Sequence, residues 1–152
     1  MSEPIEFDTV TPRHAFPMLA AGQAQKEFFV NEAFARIDAL LHPVIEGQAS
    51  DPPAAPQPGQ NWLVTGSGTG DWTGREGSLA NWDGFQWTYL APVAGMLVYD
   101  GATGERLCFR QTWKRAERPT APAGGAVVDT EARAAIGALL DLFATLAMIP
   151  EE

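Results

Sequence analysis

The sequence predicts an α+β domain: an N-terminal helix, a small antiparallel Trp-rich β meander and an apolar C-terminal helix. Three observations carry this. In AAGQAQKEFFVNEAFARIDALL (20–41), Val30, Ala33, Phe34, Ile37, Leu40 and Leu41 recur at helical spacing and form one stripe. Between residues 61 and 115, short apolar runs alternate with Gly-containing turns. In DTEARAAIGALLDLFATLAM (129–148), an apolar arc too wide for a simple surface helix carries only Arg133 and Asp141 as charges after position 132.

Residues 1–19 are expected to form an extended docking arm. Pro4, Pro12 and Pro17 interrupt helix, and Phe16, Met18 and Leu19 supply anchors with no regular period. The arm is expected to lie on another protein chain rather than on this chain's own core. Residues 20–46 hold the first helix, which Pro43 stops. Phe28 falls on the face opposite the stripe, beside Ala35 and Ala39, so this helix is expected to be covered on both sides, with Phe28 at an oligomer interface. Residues 47–60 hold four prolines and read as a semi-rigid connector.

The antiparallel β domain is expected over 61–115. Its runs are NWLVTG (61–66), GSLANW (77–82), FQWTYL (85–90), GMLVYD (95–100) and RLCFRQTWKR (106–115), with Asp83-Gly84 and Asp100-Gly101 as hairpin dipeptides. Residues 116–128 form a second connector, rich in Pro and Gly. Residues 129–148 form an oligomerising helix, N-capped by Asp129 or Thr130 and ended by Pro150. Leu139, Leu142, Phe143 and Leu146 are expected at a subunit interface, because so apolar a helix is poorly suited to the surface of a monomer.

Composition excludes several classes. A hydrophobic content of 45% argues against disorder. The single cysteine, Cys108, excludes an internal disulfide framework and a Cys-rich zinc site. No apolar run approaches the length of a membrane span, and the acidic first ten residues lack the apolar region of a secretory signal. The net charge of −9 disfavours nucleic-acid binding. One short segment runs the other way: Arg106, Arg110, Lys114, Arg115 and Arg118 stand against Glu117 alone. It reads either as a solvated strand and turn balancing nearby carboxylates, or as a docking patch for an acidic surface of a partner or a sibling subunit.

Catalytic signals are weak, and no catalytic, cofactor-binding or metal-binding residue is assigned. GSGTG (66–70) follows a strand but continues into a turn instead of a helix, and lacks the GK[ST] of a phosphate loop. His14 and His42 do not stand at metal spacing. Glu76 and Asp83 flank a Trp-rich segment, as a glycosidase pair would, but such pairs arise by chance in an acidic chain. Most of the tryptophans are expected to form the core of the meander; Trp72 and Trp82, beside turns, are the candidate glycan contacts.

PRHAFPMLAAGQAQKEFFVNEAFARIDALL (12–41), the proline connector and NWLVTGSGTGDWTGREGSLANWDGFQWTYLAPVAGMLVYD (61–100) together resemble an uncharacterised domain family. That family belongs to alphaproteobacterial prophages and gene transfer agents, where it occurs in tail-fibre and head-spike proteins. The resemblance implies a structural virion role and carries no catalytic residues. The expectation is a head-spike or fibre base, synthesised in a bacterial cytoplasm, that homo-oligomerises and links a phage-like particle to a distal fibre or the host surface. Its partners would be its own copies, in three-fold or five-fold symmetry, other capsid or fibre proteins, and host surface polysaccharide. No cofactor, nucleic acid or membrane insertion is expected. A carbohydrate-binding module for capsule or cell-wall glycan is the alternative, and a cell-wall hydrolase the third reading.

Overall fold

A computed structural model describes residues 9–22, 26–125 and 129–151. Residues 1–8 of the expected arm, 23–25 at the start of the expected helix and 126–128 of the second connector lie outside the described residues. The elements are α1 (Lys26–Leu40), β1 (Val44–Ile45), β2 (Gln48–Ala49), β3 (Asn61–Val64), β4 (Leu79–Trp82), β5 (Trp87–Leu90), β6 (Leu97–Asp100), β7 (Glu105–Phe109), β8 (Trp113–Arg115) and α2 (Thr130–Thr145). The fold is α+β.

The strands form two four-stranded sheets instead of one meander, ordered β1-β6-β7-β8 and β2-β3-β4-β5. The antiparallel succession breaks between β5 and β6, where Ala91-Pro92-Val93 intervenes and Pro92 has no N–H for a ladder. The chain also supplies both sheets from the stretch after α1. Val44–Ile45 pairs in parallel with β6, and Gln48–Ala49 pairs in parallel with β3, so the switch between sheets falls at Glu46-Gly47. The run RLCFRQTWKR is a hairpin, with Phe109 opposite Trp113. The sheets share one core, in which Leu63, Leu79 and Leu90 meet Ile45, Val98 and Leu107. Beneath it, buried Asp100 accepts from Gln48 Nε2 of the other sheet at 3.0 Å and from Arg115 Nη2 at 2.9 Å, tying the sheets by polar contacts.

The described part of the arm lies on this chain's own α1, which corrects the expected attachment to another chain. Asp38, 2% exposed, accepts from Thr11 Oγ1 at 2.7 Å and from the backbone N–H groups of Arg13 and His14 at 2.9 and 2.7 Å. The Arg13 guanidinium donates to the carbonyls of Asp38, Ala39 and His42 at 2.8, 3.0 and 2.8 Å. These carbonyls have no intrahelical donor, so a cation here both satisfies them and complements the helix dipole. Upstream, Leu19 N–H donates to the Asn31 amide, which donates back to the Leu19 carbonyl.

This arm also rotates α1 away from its expected orientation. Glu27, Asp38 and Ala39 are buried and Asn31, Phe34 and Ala35 half-buried, one face at i, i+4, i+7, i+8 spacing. That face lies roughly 120° around the helix from the expected stripe, at 100° per residue. Polar pairing with the arm sets the orientation, and of the stripe only Val30 and Phe34 are partly covered. Ile37, Leu40 and Leu41 remain exposed.

Asp129 N-caps α2 as expected, accepting from Ala132 N–H at 2.8 Å. At the far end Met148 N–H donates to Phe143 O and Ala147 N–H to Ala144 O, at 2.9 and 2.8 Å. This is a Schellman ending in which Ala147, at φ 53°, occupies the left-handed position that favours glycine. The Ala147 carbonyl then accepts from Arg106 N–H at 3.1 Å, beyond the end of β8, seating the helix end on β7.

Asp38→Ala is expected to remove about 3 kcal/mol by leaving three donors without their acceptor, read by chemical denaturation, and to expose Arg13 to trypsin. Ala147→Gly is expected to raise stability by about 1 kcal/mol, since the left-handed backbone carries a penalty of that size for a residue with Cβ; a thermal unfolding midpoint checks it.

Candidate functional site: a cationic sheet face, an aromatic cleft and two apolar helix stripes

The outer face of the β1-β6-β7-β8 sheet is the first candidate. Strand alternation sends Ile45, Val98, Asp100 and Leu107 inward and places Val44, Leu97, Tyr99, Arg106, Cys108 and Lys114 on the opposite face. A cleft of about 520 Å³ runs along it, lined by Leu97, Arg106, Cys108, Arg110, Lys114, Arg115 and Met148. Of the five cations expected to form a docking patch, the structure brings four to this cleft. Arg115 is engaged within the chain, with Asp100 at 2.9 Å and Glu105 at 2.7 Å. Arg118 lies apart and pairs with Asp141 at 3.0 Å. Arg106, Arg110 and Lys114 are exposed and form no ion pair among the described residues. The three exposed, unpaired cations, Arg106, Arg110 and Lys114, beside Leu97 and Met148 suit a partner that is acidic at its rim and apolar between.

The second candidate is aromatic. The outer face of the β2-β3-β4-β5 sheet carries Trp62, Ala80, Trp82, Trp87 and Tyr89, as the cross-strand pairs Trp62–Ala80, Ala80–Tyr89 and Trp82–Trp87 require. Trp72 plugs this face from a 3-10 turn, Gly70–Trp72, and its ring stands edge-on to Trp87 at 5.2 Å. Trp72 is completely buried, so it is corrected as a glycan contact: its ring forms a second small core with Val64 and Ala80. GSGTG wraps this plug. A Cβ on Gly68 would stand 2.2 Å from the Trp72 carbonyl oxygen, so only glycine fits there. Trp82 is half-buried and lines a cleft of about 350 Å³ with Asp71, Phe85, Gln86, Trp87 and Tyr89. Phe85, at the β4–β5 turn, is 93% exposed. It was not among the expected site residues; its position directly after Asp83-Gly84 is the signal for a side chain standing on a hairpin tip.

The carboxylates near this cleft shape loops. Asp83 Oδ1 accepts from the N–H groups of Phe85 and Gln86 at 2.7 and 2.8 Å. Glu76 accepts from its own N–H and from Gly68 N–H, which holds its carboxyl below the usual range. Its contribution to stability is therefore present above about pH 4.5 and lost as pH falls through the depressed value.

The third candidate is the pair of helix stripes. Phe28 on α1 is 70% exposed. On α2, only Leu140 among the large side chains is buried; Ile136, Leu139, Leu142, Phe143 and Leu146 are exposed. The structure thus leaves every residue expected at an oligomer interface open in the single chain. Ile136, Leu139, Phe143 and Leu146 follow i, i+3, i+7, i+10 spacing, the a and d positions of a short coiled-coil seam.

His14 Nδ1 lies 3.2 Å from Asp38, and His42 sits at the left-handed end of α1 at φ 49°, so both serve the arm–helix junction. Among the described residues, no three His, Cys, Asp or Glu side chains gather as a metal site, and no helix is long and apolar enough to cross a membrane.

A model of the family described as "Protein of unknown function (DUF2793)" matches residues 30–114, more than half of the chain. No curated protein and no solved structure matches it.

Trp72→Ala is expected to destabilise the fold by about 4 kcal/mol through the cavity it leaves, whereas Phe85→Ala should stay within about 0.5 kcal/mol; denaturant titration of the two variants checks both. In the Glu76→Gln variant, stability should fall less between pH 5 and pH 3 than in the wild type, about the range in which a depressed carboxylate titrates.

Proposed function

We propose that this chain, which belongs to the DUF2793 family, is a non-catalytic structural component of a phage-like particle. It works by self-association, as a head-spike or fibre base that connects the particle to a distal fibre or to the host surface. The observation that carries the self-association is the exposed α2 seam. Four large apolar side chains on one stripe remain 39% to 52% exposed in the single chain. Completing their burial against the same helix of neighbouring copies would contribute about 1 kcal/mol per side chain per subunit, and would link helix stability to assembly. Closed rotational symmetry follows from such a contact, since contacts that do not close would produce filaments. The phage-like setting rests on the resemblance, read from the sequence over residues 12 to about 115, to a family that occurs in tail-fibre and head-spike proteins.

The aromatic cleft favours a second reading, a module that binds surface glycan. Trp82 and Phe85 offer ring faces to a pyranose, and Asp71 and Gln86 offer acceptors and donors to its hydroxyls.

The wild type is expected to scatter light as a closed oligomer, and Leu139→Asp combined with Leu146→Asp to give a smaller species that keeps its β structure by circular dichroism. A wild type that is monomeric at every concentration sinks this reading. Mass spectrometry of purified particles from producing cells tests the virion setting, and retention on immobilised capsular polysaccharide, lost in Phe85→Ala, tests the glycan reading.

A further inference from the structure

A cleft of about 480 Å³ lies between α1 and the arm, with Glu27, Phe28, Glu32 and Asp83 on its walls. Two of its three carboxylates are engaged: Glu32 pairs with Arg36 at 2.7 Å, and Asp83 accepts from Phe85 and Gln86 N–H. Glu27 differs. It is 8% exposed, its Oε1 accepts from Gly22 N–H at 3.1 Å, and its buried Oε2 has no hydrogen-bond partner among the described residues. A buried carboxylate oxygen without a donor is unfavourable unless a donor arrives from outside. The acids of the cleft do not converge as a metal site among the described residues, and the donor that a carboxylate binds most strongly is a cationic side chain. An ammonium or guanidinium on an apolar stem fits, because the cleft has apolar walls at Met18 and Leu19 and the exposed Phe28 ring beside the carboxylate.

The same chain displays cations in the complementary condition. Arg110 stands in the exposed turn between β7 and β8, where its N–H donates to Thr112 O at 3.2 Å, and its guanidinium has no partner among the described residues. Lys114 and Arg106 flank it and are likewise unpaired. In a chain of net charge −9, this basic segment and the cleft at Glu27 are complementary surfaces on different elements.

We propose that the Glu27 cleft is a socket for a cationic side chain of a second copy, and that Arg110 at the tip of the β7–β8 hairpin fills it. The contact joins two different surfaces, so it is head-to-tail, and repeated around an axis it closes a ring. This deepens the self-association reading and rests on it, while using surfaces separate from the α2 seam.

The test uses two full-length variants, Glu27→Gln and Arg110→Glu, compared with the wild type by sedimentation equilibrium at matched salt. Gln keeps the acceptor for Gly22 N–H, and Arg110 lies in an exposed turn, so both variants should fold as the wild type does by circular dichroism. Each is expected to weaken association by at least about 30-fold. An equimolar mixture should gain one contact per pair of chains, with Arg110 of the Glu27→Gln variant in the intact Glu27 socket of the Arg110→Glu variant, and should therefore add heterodimers without closing a ring. Raising NaCl should weaken the wild type and leave Glu27→Gln nearly unchanged. If both variants keep wild-type association while Leu139→Asp with Leu146→Asp loses it, the socket is wrong and the α2 seam stands. If the mixture shows no heterodimer beyond the association of each variant alone, the pairing of Glu27 with Arg110 is wrong. A monomeric wild type overturns the socket and the self-association together.

Discussion

The buried carboxylate of Asp38 is the constraint on which the placement of the helix, the arm and the first sheet contact depends. Three donors from residues 11–14 converge on it. Their convergence puts the Arg13 guanidinium over the C-terminal carbonyls of α1. One of those carbonyls, on Ala39, also accepts from Asn61 Nδ2 at 3.3 Å, and Asn61 Oδ1 accepts from Asn81 Nδ2 at 2.9 Å. A continuous polar chain thus runs from the arm through the helix end into the two central strands of the second sheet. Thr11, Asp38, Asn61 and Asn81 in it are buried, so each needs its partner, and together they fix one geometry.

The two sheets then divide the hydrophobic residues between them. The aliphatic side chains fill the space between the sheets, with Trp113 packed against them, and the other four indoles, Trp62, Trp72, Trp82 and Trp87, lie on the far side of the β2-β3-β4-β5 sheet. Trp72 makes that second layer possible, because it covers an outer face that would otherwise stand open. The chain therefore builds two small cores on opposite faces of one sheet, which suits a domain with few aliphatic residues to assign. The outer face of the other sheet receives no such cover; its cations and the end of α2 border a cleft instead.

The energetics of the helices follow from this arrangement. Because α1 docks through polar pairs and α2 through Leu140 and its C-terminal carbonyl, their apolar stripes are left unpartnered. Both helices thus leave apolar stripes exposed in the single chain, where helices of a compact domain usually turn such stripes inward.

Local sequence determined the local features. The period of the apolar residues located both helices, Asp129 the cap of α2, Pro43 the end of α1, and the Asp-Gly dipeptides two of the turns, whereas α2 stops at Thr145, ahead of Pro150. The exposure of Leu139, Leu142, Phe143 and Leu146 was legible for the same reason: too much apolar surface lay on one helix. Only the tertiary structure decided which face of α1 turns inward, because Asp38 and Asn31 choose it through partners 12 to 27 residues away. Only it divided the strands into two sheets, since the two-residue strands β1 and β2 carry no periodicity of their own. The burial of Trp72 depends on a turn folding back over the sheet, and the unpaired oxygen of Glu27 on the arm closing beside α1. A hydrogen bond between distant residues leaves no local trace in composition or period, so these features of the candidate sites became visible only when the chain was folded.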